Sequence, residues 1–259
     1  DGMLSAHNKL KEGTWFAGGL WTWMGFAPHN GYSIKATEAA LLSCREQGIR
    51  DDFLTMWGDN GGECARFAML PALFYAAELA RGNNDRDDIK EKFERKYGIS
   101  FDEFLLLDLP GTPGVSDDHV RDAEKYLLYN DCFMGLLDST LAGEEGAKYA
   151  ACGQRIGKVQ KAGEWGGLFE TQKALCEVLE LKAQLGMRTH EIYAAVRKGV
   201  GEDESRRALE ELLSDYRKGL ERLERFYEAY KKQWFAENKP HGFDVQDIRM
   251  GGLSRRIQS

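Results

Sequence analysis

Trp15-Phe-Ala-Gly-Gly-Leu-Trp-Thr-Trp-Met-Gly-Phe26 and Phe53-Leu-Thr-Met-Trp-Gly-Asp-Asn-Gly-Gly-Glu63 decide how this chain is read. Each is a short apolar run that breaks into a glycine-rich loop. The pattern predicts strands over residues 15–23 and Asp51–Trp57. Between them Ile34, Ala36, Ala39, Ala40, Leu41 and Leu42 recur at helical spacing as far as Gln47, and Gly48 stops the helix. A second long helix is expected over Glu63–Leu79. Strand, helix, strand, helix in short pieces is the signature of parallel β/α units. Two such units cannot stand alone, because a parallel strand buried on both faces needs a neighbour on each edge. Residues 1–82 therefore read as the end of a larger β/α structure.

Outward from this stretch the pattern is helical. A short helix is expected over 3–12, stopped by Gly13. After Gly82-Asn83-Asn84, helices are expected near 87–97, 101–108, 117–129, 143–163, 167–185 and 188–199. A long one runs over 203–238, with Leu209, Leu212, Leu213, Tyr216, Leu220, Leu223, Phe226, Tyr227, Tyr230 and Trp234 on one stripe and mixed charge opposite. Lys239-Pro240 ends it. The last segment, Gly242 to Leu253, alternates enough to predict a strand or an extended arm. The fold class that follows is α/β, then mainly α, with 83–259 as a helical domain.

Composition narrows the function classes. With 259 residues, 42% hydrophobic and 30% charged, the chain has room for one large or two ordinary domains with a sizeable core. A net charge of -7 and a pI near 5.4 weigh against a nucleic-acid partner, since no basic patch stands ready to displace phosphate counterions. No apolar run approaches the roughly 20 residues of a membrane span, so no membrane partner is expected. Cys44, Cys64, Cys132, Cys152 and Cys176 are odd in number, widely spaced and free of C-x-x-C. They read as reduced thiols in a reducing compartment, which points to the cytoplasm. His7, His29, His119, His190 and His241 show no ligand spacing, so neither a metal nor a cofactor is expected. The chain opens on Asp1 rather than methionine, so a targeting segment could precede it in a longer parent.

Chemistry concentrates in the first quarter. Tryptophan beside glycine and a carboxylate at a strand's end is what a sugar pocket needs: an indole face for the pyranose, an acceptor for its hydroxyls, and room at the backbone. Trp57 and Asp59, two apart on a strand, share a face. They read either as a stacking platform with a hydroxyl acceptor, or as a core tryptophan and the start of the turn Asp59-Asn60-Gly61-Gly62. Trp21 and Trp23 likewise share a face and read as a ligand wall or as a core pair. Glu63 reads as a second polar contact or as an acid favoured in the first turn of the next helix. His29-Asn30 fits a structural loop. Tyr129-Asn-Asp131 fits an Asn/Asp turn or a polar cluster at a domain interface. No phosphate loop, G-x-S-x-G, H-E-x-x-H or dinucleotide fingerprint is present.

These same residues carry a family resemblance. Trp15 to Asn30, then Thr55-Met-Trp-Gly-Asp-Asn-Gly-Gly-Glu63, resemble the last two barrel strands of glycoside hydrolase family 20. The nearest branch in kind is the bacterial exo-β-N-acetylglucosaminidases with an all-helical C-terminal domain. Leu127-Leu-Tyr-Asn-Asp131, Gly135-Leu-Leu-Asp138 and Lys239 to Leu253 are similar to the helical part of that branch. The resemblance implies a (β/α)8 barrel with its site at the C-terminal strand ends. It also implies retaining, substrate-assisted removal of terminal β-linked N-acetylhexosamine, in which the 2-acetamido group attacks the anomeric carbon. An adjacent Asp-Glu pair would orient that group and protonate the leaving oxygen. Asp102-Glu103 and Asp203-Glu204 do not match it, so the pair is expected upstream, and this chain alone is expected to be inactive. Trp57 would line the acetamido pocket and Asp59 would accept from O4 or O6, where many members carry glutamate. Trp21 and Trp23 are weaker matches. The partners implied are N-acetylglucosamine-terminated glycans and a possible homodimer. The reading from a different class is a non-catalytic helical binding or assembly module in which the tryptophans are core.

Overall fold

A computed structural model describes residues 2–9, 13–113, 123–199 and 201–259. Helix α1 (Gly2–Asn8) overlaps the helix expected over 3–12, of which Leu10, Lys11 and Glu12 lie outside the described residues. Strand β1 (Trp15–Gly19), helix α2 (Asn30–Glu46), strand β2 (Asp51–Thr55) and helix α3 (Leu70–Ala80) follow in the anticipated order. The two strands pair in parallel, with Trp15 opposite Asp51 and Gly19 opposite Thr55. Gly48 closes α2 at φ +71°, a left-handed geometry that suits glycine.

The sheet has two unlike faces. Phe16 and Leu54 pack on the core, and Gly18 lets them meet. A Cβ there would stand 2.7 Å from Leu54 and 2.8 Å from the Phe16 ring. On the opposite face Trp15 is 61% exposed and Phe53 48% exposed. Each strand pairs only with the other among the described residues, so each has an unpaired edge.

The remainder is helical: α4 (Arg86–Tyr97), α5 (Phe101–Phe104) running into a 3-10 turn at Leu105–Gly111, α6 (Ala123–Tyr129), α7 (Glu145–Ile156), α8 (Gly166–Arg197), α9 (Glu202–Glu237) and α10 (Phe243–Gln258). Asp85 caps α4 through the Asp87 and Asp88 amides, and the Ser100 hydroxyl caps α5 by accepting from the Glu103 amide while donating to the Glu103 carboxylate. Helices α8 and α9 pack along each other and bury Leu175, Leu179, Leu185, Leu223, Phe226 and Tyr230. Phe26, in the loop after β1, sits edge-on to both Phe226 and Tyr230 at 5.4 Å. One continuous core thus runs from the loops of the β/α segment into the long helices.

Several expectations are corrected. The strands end at Gly19 and Thr55, not at residue 23 and Trp57, because both chains turn into loops there. Glu63 precedes the helix, which begins as a 3-10 turn at Arg66–Met69. Helices 167–185 and 188–199 are one helix, α8, which runs through Gly186. That glycine is no break. A Cβ on it would meet the Asp138 carboxylate at 2.8 Å, so it admits a close approach. The segment expected over 143–163 is shorter, at Glu145–Ile156. The start of the one expected over 117–129 lies outside the described residues. The final segment is helix α10, not a strand or arm: its buried Phe243, Gln246, Met250, Leu253 and Ile257 follow a helical period.

Candidate functional site

The loops that leave the C-terminal ends of β1 and β2 lie side by side. The Leu20 amide donates to the Thr55 carbonyl at 2.9 Å, and the Thr22 hydroxyl donates to the Trp57 carbonyl at 2.6 Å. Leu20 and Thr22 point inward and are buried, while Trp21 and Trp23 are half-buried on the other side. Their rings pack 4.7 Å apart, and Tyr32 meets Trp21 edge-on at 4.7 Å. Trp23 also covers Gly19, whose Cβ would lie 2.6 Å from the indole. The glycines of this stretch therefore make room for the chain's own aromatic rings.

Trp57 is 59% exposed, and no aromatic ring packs on it among the described residues. Asp59 is exposed and opens the 3-10 turn Asp59–Gly61, in which Asn60 adopts φ +53°. An exposed non-glycine residue in that region is uncommon and is favoured for asparagine. The structure thus joins Trp57 to the Trp21–Trp23 loop through the backbone and leaves the Trp57 indole and Asp59 carboxylate open to solvent. An open indole beside an unpaired carboxylate can offer a pyranose an apolar face and a charged acceptor.

Below this rim lies a buried polar cluster that holds the loop. Glu63 is 2% exposed; its two oxygens take Lys125 Nζ at 2.8 Å and Arg249 Nη1 at 2.7 Å. Lys125 also donates to the Asn60 carbonyl at 2.8 Å, and Arg249 does so at 2.7 Å. Arg249 Nη2 reaches the Asn60 side chain at 2.9 Å, and Gln246 donates to the Gly61 carbonyl at 2.8 Å. Next to Lys125 on α6, Glu124 accepts from the Phe26 and Ala27 amides at 3.0 and 3.2 Å, while Gln172 of α8 donates to the Phe26 carbonyl at 2.8 Å. Glu63 is thus neither an open polar contact nor a first-turn acid. Its burial is sustained by two cations, and removing either partner of such a pair costs about 3–5 kcal/mol. Sequence reasoning missed Glu124, Lys125, Gln246 and Arg249. Their partners lie from 62 to 186 residues away where the cluster joins Glu63, and no local pattern encodes that.

The other candidates have structural roles. His29 is buried, and burial lowers its pKa to about 4. Asn30 donates to the Ala68 carbonyl and to Asp108, each at 2.9 Å, and accepts from the Ala72 amide. Asp131 forms an Asx turn with the Phe133 and Met134 amides and pairs with Arg256 at 2.7 Å. These bonds hold its carboxyl near a pKa of about 2. Asn130 donates to Asp138 at 2.7 Å, and buried Lys182 donates to the Leu127 and Asn130 carbonyls. Asp102 pairs with Lys90, Glu103 accepts from the Ser100 hydroxyl at the start of α5, and Asp203 and Glu204 stand in the first turn of α9. The five cysteines are free thiols. Among the described residues no group of His, Cys, Asp and Glu has the arrangement to hold a metal ion. No helix among them is long and apolar enough to cross a membrane.

Comparison with protein families matches residues 102–259 to the Glycoside Hydrolase 20C C-terminal domain. None of the curated proteins compared with the chain matches it.

Proposed function

The chain belongs to the family of the glycoside hydrolase 20C C-terminal domain, and we propose that it forms the closing part of an exo-acting β-N-acetylhexosaminidase. In this reading residues 1–82 are the last two β/α units of a (β/α)8 barrel and residues 83–259 are the helical domain. The observation that carries it is the asymmetry of the two-stranded sheet. The face bearing Phe16 and Leu54 is packed, whereas the face bearing Trp15 and Phe53 is open. In a closed (β/α)8 barrel helices cover the outer face and side chains fill the inside. The open face is then the one that six further strands would cover.

Sites in such barrels lie where the strands end, and Trp21, Trp23, Trp57 and Asp59 stand in the loops that follow Gly19 and Thr55. Trp57 would stack against the terminal N-acetylglucosamine at its acetamido group. Asp59 would accept hydrogen bonds from ring hydroxyls, and the Trp21–Trp23 pair would wall the same side. The acetamido oxygen attacks the anomeric carbon, the aglycone leaves with a proton from the upstream glutamate, and water restores the configuration. The upstream aspartate orients the acetamido group. Neither metal nor cofactor enters. The substrates are glycans ending in N-acetylglucosamine or a related N-acetylhexosamine, and cytoplasmic action on them, as a monomer or homodimer, fits the free thiols.

The test uses an aryl N-acetyl-β-glucosaminide with two proteins, residues 1–259 and the same chain preceded by its upstream barrel. The first should show no turnover, because the general acid alone contributes about 10²–10⁴-fold. The second should turn over at about 1–10³ per second. In that longer protein Trp57→Ala should lower kcat by about 10², since it misplaces the intramolecular nucleophile. Asp59→Asn should mainly raise KM, by about 1.5–3 kcal/mol of lost charged hydrogen bonding. Ordinary turnover by 1–259 would overturn the reading, and unchanged kinetics in both folded variants would return Trp57 and Asp59 to purely structural roles.

A further inference from the structure

Two loops carry the candidate sugar contacts, and neither is held by its own β/α unit alone. The loop after β1 is gripped at Phe26 and Ala27 by Glu124 and Gln172. The loop after β2 is gripped at Asn60, Gly61 and Glu63 by Lys125, Gln246 and Arg249. Adjacent residues of one short helix, Glu124 and Lys125, thus reach both loops, and both are buried. Arg249 completes the hold from α10 with three hydrogen bonds, one of them to the side chain of Asn60, the residue in left-handed geometry directly after Asp59.

We propose that Lys125 and Arg249, through Glu63 and Asn60, are positioning residues that set the backbone carrying Trp57 and Asp59, so that the helical domain fixes the geometry of the sugar site. The proposal rests on the sugar-site reading above for its catalytic half, and on contacts within this chain for its mechanical half. Nothing in it requires Lys125 or Arg249 to touch substrate. Glu63, Lys125 and Arg249 form a closed charge group of one carboxylate and two cations. The surplus positive charge meets the Asn60 carbonyl oxygen, which both cations share. Lys125 and Arg249 on the Asn60 carbonyl, Gln246 on the Gly61 carbonyl and a further Arg249 bond to the Asn60 side chain hold the turn against the strain of its left-handed asparagine. A site held to within about 0.5 Å depends on such support, because displacement of a reacting group by about 1 Å can reduce a rate about 10²-fold.

The test compares Arg249→Gln with Arg222→Gln, which breaks an ion pair of the same 2.7 Å length between α8 and α9 that involves no residue of the 58–63 loop. Hydrogen exchange on residues 1–259 reads the mechanical half. Arg249→Gln should speed exchange at residues 58–63 by about tenfold or more and leave α8 and α9 as in the parent chain, whereas Arg222→Gln should leave 58–63 unchanged. In the longer barrel-containing protein Arg249→Gln should lower kcat more than it raises KM. Arg249→Lys, which keeps the charge and one reach to Glu63, should recover part of the loss. Should Arg249→Gln fail to fold, Lys125→Met removes the other arm and leaves Glu63 paired with Arg249, and the same loop should loosen. Unchanged exchange at 58–63 in these variants overturns the proposal whatever Trp57→Ala does. A loosened loop with unchanged kcat also overturns it, provided Trp57→Ala is impaired. A loosened loop with Trp57→Ala fully active overturns instead the sugar-site reading on which the catalytic half rests.

Discussion

The α8–α9 pair and the β1–β2 pair are each two apolar elements laid side by side, but they are closed to different degrees. Phe226 on α9 is fully buried, with Phe26 and Tyr230 as ring neighbours. Phe53 on β2 is 48% exposed, across from Ala17 on the open face. Helices satisfy their backbone internally and need only cover a stripe, so a few of them can complete a core among themselves. A parallel strand needs partners on both edges and cover on both faces. The helical region meets its requirement within this chain, and the strand region meets half of its own.

That contrast can be sharpened with one residue type. Phe226→Ala should lower the stability of residues 1–259 by about 3–5 kcal/mol, the range for a buried aromatic ring. Phe53→Ala should change it by no more than about 0.5 kcal/mol, as for ordinary surface positions. Denaturant midpoints measure both. Comparable losses at the two sites would mean that Phe53 is covered in solution.

A smaller effect probes the seam between the regions. His29 lies in the loop before α2, buried, with its pKa lowered from 6.5 to about 4. The unfolded chain therefore binds this proton more readily than the folded one. The neutral imidazole's contribution is fully present above about pH 6.5 and is lost as pH falls through about 4, with an upper limit near 3 kcal/mol. His29→Gln should flatten the fall in stability between those values, read from urea unfolding at a series of pH values. A pH profile identical to that of the parent chain would show that this corner opens without unfolding.

Much of this architecture is legible in the sequence because its causes are local. The stripe from Leu209 to Trp234 gives α9 almost to the residue, and the glycine after α2 stops it as its position implies. The parallel pairing follows from the helix between the strands. What escapes is set by tertiary contact. Gly186 looks like a helix break but is required by the nearby carboxylate of Asp138. Gly251-Gly252 and the alternation around Val245 disguise α10, whose helical period becomes visible only once Phe243, Met250 and Leu253 are known to face inward. At the site, the tryptophans and Asp59 stand out by type and spacing. Lys125 and Arg249 look like ordinary surface charges until Glu63, far away in sequence, is buried between them.

Hydrogen exchange on residues 1–259 at low concentration, resolved by segment, tests the central claim most directly. If the strands belong to a barrel whose other strands lie outside this chain, amides of Trp15–Gly19 and Asp51–Thr55 should exchange far faster than those of the α8–α9 core. They should become protected when the upstream barrel is attached, because unpaired edges and an open face leave these amides accessible to local opening. Equal protection of the strands and the long helices in a strict monomer would contradict the account and show that the two β/α units are complete as they stand.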